Sequence, residues 1–164
     1  RVDASPRCAC ADGPRRDALP LVSGAWHAEV KGTLGMSESM EFAELCKEAR
    51  KCCRDGEYQC GLELFEEALE ISELSETRGH AGTAAFMAGD TDKAIEHFKR
   101  AAHLDPANPQ YRINLGAVYN RRKEYKLAID SLRKGLSIDM RCAEGYFNLG
   151  MAHRHLDQPK MAVP

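Results

Sequence analysis

Ile113-Asn114-Leu115-Gly116 returns 34 residues later as Phe147-Asn148-Leu149-Gly150. Working outward, Gly82 stands one further period upstream of Gly116, and Ala94, Ala128 and Ala162 keep the same interval. So does the pair Ala101 and Gly135. Self-similarity at a fixed period of this length belongs to chains built by stacking one small supersecondary unit. The residues that recur are small, and small residues are what a helix needs where a neighbouring helix crosses close to it. Between them the apolar positions fall at spacings of three and four, as in Phe42, Leu45, Ala49 and Cys52, the stripe of an amphipathic helix. Asp55-Gly56, Gly89-Asp90 and Asp105-Pro106 interrupt the helical stretches. The pattern predicts an all-α array of helical hairpins.

These residues resemble the tetratricopeptide repeat, whose pattern is a large residue, Leu-Gly, an aromatic, Ala, an aromatic, Ala and a closing Pro. The repeat 109–142 supplies Leu115, Gly116, Tyr119, Ala128, Leu132 and Gly135, with Met140 where Pro is expected. The repeat 75–108 supplies Ala81, Gly82, Ala94, Phe98, Ala101 and Pro106. A divergent copy over about 42–74 carries Ala49, Tyr58, Gly61, Phe65 and Ala68, and a truncated fourth, 143–164, carries Tyr146, Leu149, Gly150 and Ala162. The resemblance implies a right-handed α-solenoid over 41–164. It implies a binding scaffold as well, without saying for what, because one fold hosts many functions.

Residues 1–40 lie outside the repeats. Arg1 to Pro20 mixes Pro, Gly, Arg and Asp without a period, and the segment reads as disordered or as non-native sequence ahead of Met36 or Met40. The formal net charge of -2 with 29% charged residues steers the chain toward neither nucleic acid nor a membrane surface. No apolar run approaches the length of a membrane span. Seven cysteines without Cys-x-x-Cys spacing read as reduced thiols of a cytoplasmic protein, and no metal or cofactor is expected. The array stops inside its fourth repeat without a polar closing helix, which reads as a fragment of a longer array or as an end covered by another chain, a second copy included.

In arrays of this family the first helix of each hairpin lines the concave surface. The resemblance therefore places Cys46, Arg50 and Arg54 in the groove, followed by Gly79, Ile113, Asn114, Asn120 and Arg121. From the last repeat come Phe147, Asn148, Met151 and Arg154. Asn114 and Asn148, one period apart, resemble the asparagine ladder of O-linked N-acetylglucosamine transferase, since a carboxamide can pair with a peptide unit through its donor and acceptor together. His80 and Lys47 stand at the equivalent positions of the earlier repeats. The carboxylate clamp by which some relatives hold chaperone tails requires Lys, Asn, Asn, Lys and Arg. Here those positions are Gly79, Thr83, Asn114, Glu144 and Asn148, so one of five agrees and chaperone-tail binding is not expected.

Catalytic constellations are missing from the sequence: no phosphate loop, nucleophile elbow or zinc spacing is present. His153 and His155, two apart on a helix, point away from each other. Arg121, Arg122 and Lys123 read as a solvated turn rather than a nucleic-acid contact. The expectation is a non-enzymatic module that binds an extended or helical peptide, with its arginines favouring acidic residues. The rival expectations are the substrate-positioning part of a larger enzyme, glycosyltransferase-like, and a self-associating structural array.

Overall fold

A computed structural model describes residues 35–157. They form α1 (Met36–Arg54), α2 (Tyr58–Ile71), α3 (Ser75–Ala88), α4 (Thr91–Leu104), α5 (Pro109–Arg121), α6 (Tyr125–Leu136) and α7 (Ala143–Asp157). Successive helices pair as α1–α2, α3–α4 and α5–α6, each pair leans on the next, and α7 packs on both α5 and α6. This is the expected α-solenoid of helical hairpins. The first 34 residues of the segment 1–40 and the end of the fourth repeat lie outside the described residues. Residues 36–40 are helical: α1 starts at Met36, where Glu38 reaches back to accept from the Gly35 N–H at 3.1 Å.

Local chemistry sets the boundaries. Asp90 Oδ1 accepts from Lys93 N at 3.0 Å and caps α4, and Asn108 Oδ1 accepts from Gln110 N at 3.0 Å ahead of Pro109 in the first turn of α5. Each hairpin turn holds one left-handed residue at the same place in the repeat: Gly56 (φ 87°), Gly89 (φ 92°) and Lys123 (φ 64°). The first two match the glycine preference of that conformation, and the third does not.

The main core is a seam running through the hairpins, and Phe42, Cys46 and Ala68 form a smaller cluster of their own in the first hairpin. Phe65, Ala81, Ala85, Phe98, Ile113, Val118 and Leu132 are all at or below 2% exposure. Helices cross most closely at the recurring glycines. A methyl group added at Gly82 would meet the Phe98 ring at 2.9 Å, and one added at Gly116 would collide with Leu132. No described side chain lies within 4 Å of the equivalent point at Gly150.

The join between the first and second hairpins is polar on its outer side. Glu73, in the loop after α2, accepts from Arg78 Nε of α3 at 3.1 Å and from Arg100 Nε of α4 at 2.8 Å. These guanidinium groups, Arg100 foremost, hold the Glu73 carboxyl down at about 2. Beside them Lys93 Nζ donates to Glu66 at 2.8 Å. His97 is buried, accepts at Nδ1 from Arg78 (3.3 Å) and donates from Nε2 to Glu66 (3.4 Å), which defines a neutral tautomer. Burial pushes the His97 ring below its usual range; the hydrogen bond to Glu66 opposes this, and the Arg78 charge adds a smaller push in the same direction as burial.

Candidate functional site

Two clefts open between the first helices of the hairpins. The larger, of about 510 Å³, lies among α3, α5 and α7, with Phe86, Tyr125, Phe147, Asn148, Met151 and His155 on its walls. The smaller, of about 210 Å³, lies between the first two hairpins, where Arg50, Arg54, Tyr58, Phe65, His80 and Met87 meet. In both, an apolar floor carries a few polar groups at the rim, the usual make-up of a ligand cleft.

The larger cleft gathers five of the groove residues read from the sequence: Asn120, Arg121, Phe147, Asn148 and Met151. They differ in what they have left to offer. Phe147 is 67% exposed, an aromatic ring on the cleft wall. Asn120 donates from Nδ2 to the backbone carbonyl of Asn148 at 2.9 Å, fastening α5 to α7, and its buried Oδ1 has no hydrogen-bond partner among the described residues. Arg121 donates from Nη1 to the Phe86 carbonyl at 2.9 Å, and its guanidinium lies 4.7 Å from the Phe86 ring centroid. That side chain is engaged in holding the second repeat to the third. Tyr125, at the start of α6, stacks on His155 with ring centroids 5.2 Å apart and closes one side of the cleft.

The other candidates are distributed elsewhere. Arg50 and Arg54 share the smaller cleft, where His80 stacks on the buried Phe65 at 5.6 Å and stands 3.5 Å from Glu76. Asn114 lines neither cleft; its Oδ1 accepts from Gln110 Nε2 at 2.9 Å, and that amide also reaches Glu144 at 3.3 Å. Arg154 is exposed and likewise lines neither. Three residues expected in the groove are in the core instead. Cys46 and Ile113 are 2% and 0% exposed, and Gly79 is covered by the Tyr111 ring, 2.6 Å from where a Cβ would be. Their positions on the first helices turn them toward the returning helix or the next repeat rather than toward the open side.

The basic turn is also committed. Arg122 pairs with Asp92 of α4 and, at 2.7 Å, with Glu124. Among the described residues no helix is long and apolar enough to cross a membrane.

A stack of antiparallel helix pairs with small residues at the crossings defines a class, the helical-hairpin repeat scaffolds. The tetratricopeptide-repeat family model matches residues 81–140, and this part of the chain is built of tetratricopeptide repeats. It is 26% identical over 155 residues to the small glutamine-rich tetratricopeptide repeat-containing protein 2 of Saccharomyces cerevisiae, a match covering 89% of this chain and 45% of the relative. It is 34% identical over 74 residues to the photosystem I assembly protein Ycf3 of Prochlorococcus marinus, covering 42% of each. The chain thus spans less than half the length of these two relatives. Among solved structures, the Sgt2 TPR domain from Aspergillus fumigatus superimposes with a TM-score of 0.67 at 21% identity, over 76% of this chain and 89% of that one. The first TPR domain of Spaghetti (RPAP3), solved bound to an HSP90 peptide, gives 0.68 at 13% identity, over 72% and 94%. These two likenesses speak to the fold.

Proposed function

We propose that the chain is a non-enzymatic, cytoplasmic adaptor that captures an extended or helical peptide along its concave face, with the α3–α5–α7 cleft as the main anchor. The observation that carries this reading is Phe147, an exposed aromatic ring beside Met151 and Phe86 at the mouth of a 510 Å³ cleft. An apolar ligand side chain seated there would remove that ring from water, and buried aromatic anchors supply most of the energy of such contacts. Asn148 at the same wall offers a carboxamide to the ligand backbone. Arg50 and Arg54 at the smaller cleft, with Arg154 near the end of α7, favour a ligand whose remaining residues include acids. The frame is rigid before binding, so the main entropic penalty falls on the ligand. Asn114 and Asn148 act separately in this reading, because the Asn114 acceptor is taken by Gln110. Glu144, at the clamp position, places a negative charge where a chaperone-tail carboxylate would sit, so tails of that kind are not ligands.

Selection from a random peptide display library against the purified chain tests this. The reading requires peptides with an apolar anchor and acidic neighbours whose binding is lost in F147A and M151A. Recovery of no peptide, or of peptides indifferent to both substitutions, contradicts it.

A further inference from the structure

The turn of the first hairpin brings together three side chains that no peptide-binding role uses. Cys52 lies in the last turn of α1 and Cys60 in the first turn of α2, and their sulfurs stand 3.0 Å apart. Glu57 lies between them in the chain, its N–H donating to the Cys52 carbonyl at 2.8 Å, and the three potential ligand atoms all lie within 4.8 Å of one another. The approach is enforced by packing. A Cβ at Gly61 would lie 2.5 Å from Cys53 Sγ and 3.1 Å from the Ala49 carbonyl, so a glycine next to Cys60 is what lets the two helices close on each other here.

We propose that Cys52, Cys60 and Glu57 form a binding site for a thiophilic divalent cation of the zinc type. Two sulfurs and one carboxylate oxygen are a ligand set such a cation accepts, with water completing a tetrahedron. Metal–sulfur bonds of about 2.3 Å in that geometry place the sulfurs about 3.8 Å apart, an outward movement of about 0.4 Å for each. Binding releases two thiol protons to solvent and leaves two thiolates and a carboxylate around one dication. Glu57 is exposed and can turn its carboxylate inward. A disulfide would need the same sulfurs to close by about 1 Å and would leave Glu57 without a role. Cys53 is not part of the set: its sulfur lodges against Gly61, and burial, with Cys52 beside it, pushes its thiol above the usual range. Because the ligands come from the end of one helix, the turn and the start of the next, the cation would pin the first hairpin shut.

The test is titration of the reduced full chain with Co²⁺, followed by Zn²⁺ displacement. The expected result is one Co²⁺ per chain with thiolate-to-cobalt charge-transfer absorption and tetrahedral visible bands. C52S and C60S lose it, C53S keeps it, and E57Q binds roughly tenfold or more weakly. Zn²⁺ raises Tm of the wild-type chain and of C53S, and leaves C52S and C60S unmoved. Far-ultraviolet circular dichroism establishes that each variant is folded. Binding that survives both C52S and C60S belongs to other cysteines and overturns the proposal. So does a reduced chain that takes no metal and forms a Cys52–Cys60 disulfide on addition of glutathione disulfide.

Discussion

Gly116 and Gly150 hold the same place in the repeat, are preceded by the same Asn-Leu, and live in different surroundings. Gly116 is roofed by Leu132 from the returning helix of its own hairpin, whereas no described side chain approaches Gly150. The same split runs through the aromatics. Phe98 is 1% exposed within the seam, and Phe147 is 67% exposed on the cleft wall. A repeat motif therefore encodes a surface that is ready to be covered, and neighbouring helices decide whether it is covered. Up to α6 the repeats cover one another; among the described residues nothing covers Gly150 on α7, and the larger cleft lies along this helix.

The contrast is broken or sharpened most strongly through the two phenylalanines. F98A should cost about 3–5 kcal/mol of stability by opening a cavity in the seam, while F147A should change it by less than about 0.5 kcal/mol. Urea unfolding followed by circular dichroism measures both, and equal costs would abolish the distinction. The glycines come next. G116A should cost about 1–3 kcal/mol by overpacking against Leu132, and G150A should be neutral or gain up to about 1 kcal/mol from helix propensity. A G150A cost that matches G116A would show that Gly150 too is covered.

Acid sensitivity should reside in the first two hairpins. The neutral, buried His97 has a lowered pKa, so the unfolded chain binds the proton more readily, and stability falls as pH drops below about 6.5. The depressed Glu73 carboxyl contributes stability above about 4.5 that is lost as pH falls toward about 2. H97Q should flatten the upper part of the Tm-versus-pH curve and E73Q the lower part; unchanged slopes would remove these groups from the account. The smallest effect concerns the third turn. K123G should stabilise by about 0.5–1 kcal/mol, because glycine takes the left-handed conformation that Gly56 and Gly89 already supply in the equivalent turns. A Tm no higher than wild type would refute it.

The hairpins were legible in the sequence through the small residues that recur at the helix crossings and, in the first hairpin, through the apolar stripe of Phe42, Leu45, Ala49 and Cys52. The repeat read over 109–142 contains α5 and α6 whole, Pro109–Arg121 and Tyr125–Leu136. The cleft was legible only in part. Met151 follows from the helix face read in the sequence, but the period does not carry Phe147 or Asn148 there, since Ile113 is buried and Asn114 lines neither cleft one period earlier. That Asn120 and Arg121 are occupied by the Asn148 and Phe86 carbonyls follows from neither, since those bonds join residues 28 and 35 positions apart. Nor could spacing reveal the meeting of Cys52 with Cys60, which depends on how closely Gly61 lets two helices approach.

The most direct test of the central claim is the affinity of one library-selected peptide for three versions of the chain: wild type, F147A, and R133A, a change at an exposed residue of α6 that lines neither cleft. The account predicts that F147A weakens Kd by tenfold or more, about 1.4 kcal/mol, and that R133A leaves it unchanged. A peptide that binds F147A as tightly as wild type would place the binding surface elsewhere and contradict it.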